Sequence, residues 1–390
     1  MSTTETNDTK KKAAVGWRVH LNGVHFDRYT SIGFNRAVDN NVGQFTIEAS
    51  DKNPKDTPLQ ANDLIEIYLG EQKVFTGYAD KLTVKGSRDG SVITYVGRDT
   101  LCDAVDSSMP DKGKTKKGSY TLKSACEAAL KTLGMTNKVI DTTADKIGNK
   151  KIKQQKTEKS GEGTVMQSLA KMAAKLQVWL VADENGDLLI FRAGEKTVDM
   201  PFYYLFDGEG KNNILDAELC IDLSQVFSKV KIRGKGSVTF DISNAHAADL
   251  VDINGSHYDD NARPTRYLEV KSNDTMNKAQ AAQRAMDEVN LRRAKAFEYK
   301  VETNFFTDKV GKILPLGGMC QVEDELRQVS GKFLIRGFDV KFDRGGGTKV
   351  SYTFAPAEAF QVVDIDERNE KSSGKGKKKH IKKQTKRFKE

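Results

Sequence analysis

Apolar and polar residues alternate along much of this chain, and the dominant period is two. From Trp17 the alternate positions Trp17, Val19 and Leu21 are apolar, and Phe26, Ile32 and Phe34 continue the pattern beyond an Asn22-Gly23 turn. QFTIEAS at 44–50 and DLIEIYLG at 63–70 read as further strands, separated by a loop marked by Pro54 and Pro58. The stretch 74–110 is a hairpin with a polar exit. Phe75, Tyr78, Leu82 and Val84 line the first strand, and Asp89-Gly90 supplies a turn whose two positions tolerate positive φ. Val92, Thr94 and Val96 then share one side of the return strand. Short strands at such close spacing predict a small antiparallel barrel or sandwich.

The period changes to 3.6 in three places. Leu122, Ala125, Cys126, Ala129, Leu130 and Leu133 form one helical face, stopped by Gly134. Thr164 and Gln167 form a capping box ahead of Met166, Leu169, Ala170, Ala173 and Leu176. A third helix is predicted near 276–294, with Ala279, Ala282, Met286, Val289 and Arg293 on its face and Glu288 paired to Arg292. VWLVADENGDLLIFRAG at 178–194 is a hairpin with Asn185-Gly186 at its tip. The Lys-rich stretch 141–160 reads as a surface loop, and 241–263 is polar and irregular.

The expected class is α+β and β-rich, built from two related small antiparallel β-barrels and a smaller α+β domain. A flexible arm (1–14) precedes a first β-barrel (15–110) and an α+β domain (111–200). A second β-barrel (201–363) carries the helical insertion near 276–294, and 364–390 form a basic, disordered tail. An internal echo fits a second, related barrel and fits equally two hairpins alike by chance, and only a family resemblance turns the balance to the related pair. GYADKLTVKGSRDGSVITYVGRD at 77–99 and GFDVKFDRGGGTKVSYTFAPAEAF at 337–360 share the order glycine, aromatic, strand, glycine-containing hairpin and Thr/Tyr-rich strand.

Charge changes the picture only at the end of the chain. Residues 371–390 hold ten Lys or Arg and one acid, out of 63 basic and 54 acidic residues in all. The remaining 53 of each sign leave positions 1–370 formally neutral, so the net +9 belongs to the tail. Lys377, Lys378, Lys379, Lys382, Lys383, Lys386 and Arg387 are its candidate partner-binding positions. A neutral body argues against a dedicated nucleic-acid binder. No apolar run is long enough to cross a bilayer, so no membrane insertion is expected, and no secretory signal is visible. Cys102, Cys126, Cys220 and Cys320 are too scattered for a zinc site or a disulfide framework and are expected to be reduced core residues.

The Gly97-Arg98-Asp99 stretch, with Asp103 and Asp106 following, resembles the tail protein P family of Mu-like phages, the baseplate hub proteins of contractile tails. NGDLLIFRAG (185–194), SQVFSKVKIRGKG (224–236), RPTRYLEV (263–270) and the closing APAEAF follow in the order of that family. The N-terminal arm, the Lys-rich loop and the basic tail depart from it. The resemblance implies a homotrimeric structural hub in the virion tail baseplate, assembled in the host cytoplasm. Such a hub joins the six-fold tail tube to the three-fold central spike and takes part in tail assembly and genome delivery. Its implied partners are the spike, the tube, neighbouring baseplate proteins and a tape-measure segment, with DNA passing through the lumen without specific binding. A hub of a phage-derived injection machine is the related alternative.

Catalysis is the other alternative, since tail proteins can carry cell-wall hydrolases. No H-E-x-x-H or G-x-S-x-G occurs, and Gly113-Lys114-Thr115 lacks the earlier glycine of a phosphate loop because Ser108 holds that place. His20 and His25 flank a turn, while His246 and His257 lie among aspartates in the irregular stretch, more as a solvated loop than a metal site. No cofactor, metal or catalytic residue is assigned. Arg98, Asp99, Asp103 and Asp106 are expected to form one structural charge cluster, buried or at a trimer seam.

Overall fold

A computed structural model describes residues 16–51, 61–87, 90–108, 120–152, 163–235, 252–258, 262–275 and 278–356. The chain divides into two units, Met1–Phe360 and Gln361–Glu390, and every described residue lies in the first. The basic positions from Lys377 to Arg387 therefore lie outside the described residues, as does the 1–14 arm.

The strands come in two groups. The first contains β1 (Trp17–Leu21), β2 (Val24–Phe26), β3 (Tyr29–Ala37), β4 (Asn40–Asp51), β5 (Leu64–Leu69), β6 (Gln72–Ser87) and β7 (Gly90–Asp99). Short α1 (Cys102–Asp106) leads into an α+β segment of β8 (Tyr120–Thr121), α2 (Leu122–Thr132), β9 (Val139–Asp141), β10 (Lys151–Ile152), α3 (Val165–Lys175), β11 (Trp179–Ala182) and β12 (Leu188–Phe191). Next come β13 (Phe202–Tyr204), β14 (Asp216–Ile221), β15 (Lys229–Lys235), β16 (Asp252–Tyr258), β17 (Tyr267–Thr275) and α4 (Lys278–Ala296). The chain closes with β18 (Phe297–Thr303), β19 (Met319–Asp324), β20 (Val329–Asp343) and β21 (Gly347–Pro356).

Hydrogen bonding joins thirteen of these strands into one sheet, ordered β14-β18-β21-β20-β3-β4-β7-β6-β5-β1-β2, with β19 linking β20 to β13. The expectation of two separate barrels is thus not what the hydrogen bonds draw. Among the described residues neither half closes on itself, and β20 pairs with β3 across the middle. The repeat is nevertheless plain in the topology. One half runs β3-β4-β7-β6-β5-β1 and the other β14-β18-β21-β20-β19-β13, with the strands in the same chain order along each path. The paths differ at their ends, where β1 and β5 are antiparallel but β13 and β19 are parallel.

The two long hairpins can be aligned by register alone. Each slips once, between Ala79 and Lys81 and between Ile335 and Gly337, and then runs pair by pair to its turn. Lys81–Ser87 therefore correspond to Gly337–Asp343. This corrects the sequence match of Gly77-Tyr78 with Gly337-Phe338 by four residues, because Phe333 holds the place of Gly77. The glycines answer different local demands. A Cβ on Gly77 would lie 2.1 Å from the Arg98 carbonyl oxygen, whereas one on Gly337 would press on β3 at Arg36 and Ala37.

One apolar core serves both halves. Phe34 meets Phe75, Phe306 and Phe338 at centroid distances of 5.6, 5.7 and 6.3 Å, and Phe45 meets Phe75 at 5.7 Å. The α+β segment has its own core, with Leu122, Cys126, Leu130, Met166, Leu169, Leu180 and Ile190 buried. Both helices start from capping boxes, at Thr121 and Thr164, and Gly134 follows the first at φ 79°. Val92, Thr94 and Val96 do share a face, but it is the solvent face, while Ile93 and Tyr95 point into the core.

Three local expectations change. The insertion near 276–294 is larger than a helix, because α4 packs on a sheet of β16-β15-β17, with Ala281, Ala285 and Val289 among the α4 residues buried against it. The stretch opening the Lys-rich segment is not simply surface. Buried Asp141 accepts from Thr143 N (3.0 Å), Thr143 Oγ1 (2.6 Å) and Gly148 N (2.9 Å), which folds 141–148 into a tight knot. Cys102, Cys126 and Cys320 are buried, but Cys220 is exposed on β14. No helix among the described residues is long and apolar enough to cross a membrane.

Candidate functional site

The Gly97-Arg98-Asp99 stretch ends β7, and neighbouring strand residues point to opposite faces of a sheet. The four expected members of one charge cluster are accordingly divided. Arg98 points outward and holds Asp80 Oδ2 at 2.7 Å and both oxygens of Asp106, at 3.1 and 2.7 Å. These ion-paired carboxylates stabilise its charge, and the guanidinium beside Asp106 holds that carboxyl below its usual range. Asp103 lies exposed on α1 and does not join the pair.

Asp99 points inward and is wholly buried. It accepts from Gly43 N at 2.5 Å and Leu101 N at 3.1 Å. Burial pushes its pKa up from 3.8 to about 6, against the pull of Arg36 and the two backbone donors. Arg36 is buried as well. It stands 4.8 Å over the Phe75 ring and donates from Nη2 to the Asp183 carbonyl at 2.8 Å, while its Nε has no hydrogen-bond partner.

That contact to Asp183 reaches the tip of the β11–β12 hairpin, the NGD motif. Thr76 Oγ1 donates to the Glu184 carbonyl (2.9 Å), Thr100 Oγ1 to the Gly186 carbonyl (2.6 Å) and Asn137 Nδ2 to the same oxygen (2.7 Å). Gly186 has φ 84°, and a Cβ there would lie 2.4 Å from Thr100 Oγ1. Two motifs more than eighty residues apart in sequence therefore meet, and together they clamp the α+β segment onto the main sheet. Most polar groups of this junction are engaged by backbone or by an opposite charge, Arg36 Nε being an exception.

Sequence reasoning missed a second buried charge in the other half. Asp324 is buried and receives Tyr299 Oη at 2.7 Å, Arg327 Nη1 at 3.0 Å and Arg327 N at 3.0 Å. Nothing local announces it, because Tyr299 lies on β18 and Asp324 ends β19. His20 and His25 face each other across β1 and β2 at 5.7 Å, with His20 also 4.8 Å from the Tyr68 ring. His246 lies outside the described residues, and no group of three potential metal ligands occurs among those described. A shallow groove of about 210 Å³ beside α4 is lined by Asp222, Gln225, Glu288 and Arg292 among others. The Glu288 carboxylate there is held by Arg292 Nε at 2.8 Å.

The chain is similar to the baseplate hub protein gp44 of Escherichia phage Mu, at 23% identity over 360 residues that cover 90% of this chain and 91% of that one. Among solved structures it is similar to the 43 kDa tail protein of prophage MuSo2 from Shewanella oneidensis. The TM-score is 0.74 and the identity 22%, covering 88% of this chain and 98% of that one. The tail protein from Neisseria meningitidis MC58 gives a TM-score of 0.72 at 17% identity, with the same coverage of each chain. No protein-family model matches. The fold is that of the Mu-like prophage tail proteins, and the likeness extends over nearly all of each chain.

Proposed function

We propose that this chain is the baseplate hub of a contractile phage tail and acts as a homotrimer on the tail axis. The observation that carries the reading is the repeated strand path, β3-β4-β7-β6-β5-β1 and β14-β18-β21-β20-β19-β13 in one chain. Two similar units per protomer become six in a trimer, and a body with six similar units on a three-fold axis can meet a six-fold tube on one side and a three-fold spike on the other. In the assembled ring the open halves of the sheet would gain the neighbours that complete them as barrels. The likeness to the Mu hub over nine-tenths of both chains supports the assignment.

The role in this reading is structural rather than enzymatic. The clamp around Asp99 and Arg36 fixes the α+β segment to the sheet, the basic tail tethers an anionic partner, and the site of action is the virion baseplate. Light scattering on the purified chain tests it. The expected mass is that of three 43.3 kDa chains, alone or with the spike added. A stable dimer or tetramer contradicts it.

A further inference from the structure

Two sheet edges stand open among the described residues, and the repeat says what each lacks. In the second half, the distal part of β20 (337–343) has β21 on one side and β3 on the other. Its counterpart, β6 residues 81–87, has β7 on one side and no strand on the other, because β5 pairs with β6 only as far as Tyr78. The counterpart of β3 is β14, which pairs with β18 alone. Each half thus holds one member of a pairing that the molecule makes once internally. Burial records the gap. Val340 is 0% exposed beneath β3, while Val84 at the equivalent place is 48% exposed. Ile221 on β14 is 56% exposed. Open strand edges are templates for further pairing.

The internal pairing also fixes the register. Stepping from β21 through β18 to β14, and from β7 through β4 to β3, puts Leu219 in the place of Phe34, Glu218 in that of Gly33 and Cys220 in that of Asn35. Inside the chain Val340 faces Phe34, Lys341 faces Gly33 and Asp339 faces Asn35. We propose that β6 residues 81–87 of one copy pair antiparallel with β14 of the next, with Val84 opposite Leu219, Lys85 opposite Glu218 and Thr83 opposite Cys220. The residues suit one another without having been used to choose the register. On the core side Leu82 meets Ile221 and Val84 meets Leu219, and on the solvent face Lys81 meets Asp222 and Lys85 meets Glu218. The partner is a second copy of this chain. The interface is heterologous, one edge against a different edge, so repetition by a three-fold rotation closes a ring. This inference rests on the trimeric reading and adds to it the seam and its register.

The exposed native Cys220 makes the test direct, since the other cysteines are buried. Directly opposed antiparallel residues bring Cα atoms to about 4.5–5.5 Å, inside the range a disulfide needs, whereas diagonal neighbours lie about 7–8 Å apart. Thr83→Cys is made in the full chain and treated with diamide, which oxidises two thiols to one disulfide. The expected product is a covalent trimer on a non-reducing gel, lost on reduction and absent in Thr83→Cys/Cys220→Ser. Lys81→Cys and Lys85→Cys should cross-link at least several-fold more slowly. As a check that needs no disulfide, Lys85→Glu should weaken the assembly, and Lys85→Glu/Glu218→Lys should restore it. A trimeric mass with no Thr83→Cys cross-link and no charge-swap rescue overturns the seam while leaving the trimer standing. Faster cross-linking at 81 or 85 overturns the register, a covalent dimer as end product overturns the ring, and a non-trimeric mass overturns both readings.

Discussion

Replacing Asp99 by asparagine should alter how stability depends on pH more than it alters the fold. Asp99 is wholly buried, and its carboxyl is raised from 3.8 to about 6, first by desolvation. Below about pH 4 both folded and unfolded chains hold this proton, and the wild type has its full stability. Between about pH 4 and pH 6 the unfolded chain has released the proton and the folded chain resists doing so, so stability falls as pH rises. The difference, 6 minus 3.8, is 2.2 pH units, or about 3 kcal/mol at 1.36 kcal/mol per unit. Asparagine cannot titrate. Its Oδ1 can serve one of the Gly43 and Leu101 N–H groups while its Nδ2 faces the other, which costs about 1–3 kcal/mol at every pH. That offset cancels when the two proteins are compared across pH. Urea unfolding of wild type and Asp99→Asn from pH 4 to pH 7 should therefore show the mutant gaining about 2 kcal/mol relative to wild type, the remainder of the difference falling below pH 4. Arg36→Met removes the cation that favours the Asp99 carboxylate, so its stability should go on falling above pH 6. A difference between wild type and Asp99→Asn that stays constant with pH, or that grows in favour of wild type, would refute the claim that burial outweighs Arg36.

Gly97→Ala should prevent folding or cost several kcal/mol, because its Cβ would lie 1.9 Å from the Tyr78 carbonyl oxygen; Gly33→Ala, whose nearest neighbour would be 3.8 Å away, should express and melt like wild type by circular dichroism. Arg98→Ala should cost only about 1 kcal/mol or less in urea unfolding, since its side chain is 30% exposed and its partners Asp80 and Asp106 more so. A loss of 3 kcal/mol or more would put Arg98 at a buried seam instead. Deleting 367–390 should leave the number of protomers unchanged and weaken capture of the spike, with the deficit shrinking as salt is raised; equal capture at every salt concentration would make the tail a solvated appendage.

Much of the fold was legible because its signals are local. Asn22-Gly23 takes positive φ at both positions, and Gly186 at 84° sits in the hairpin tip its motif announces. The capping box read at Thr164 depends on four residues, and the structure shows both of its hydrogen bonds. What was illegible depends on pairing at a distance. The repeat could be seen as two hairpins, but Gly77 and Gly337 hold different places in them, so matching glycine to glycine missed the true alignment by four residues. The charge cluster at 98–106 looked like one site because its members are adjacent in sequence, yet a strand sends Arg98 and Asp99 to opposite faces. On α4 an alanine-rich sequence gives no contrast between faces, so the sheet it packs on decides that Ala281, Ala285 and Val289 are buried. The Tyr299–Asp324–Arg327 cluster required β18 to lie near the end of β19, which no local pattern encodes.

The central claim is that two equivalent halves of one chain become six around a three-fold axis, and end-on electron microscopy of the purified assembly tests it most directly. Class averages should show a closed ring whose rotational power lies at three-fold and six-fold orders, from three chains with two similar lobes each. Averages with two-fold or four-fold order, or an open chain of protomers, would contradict it.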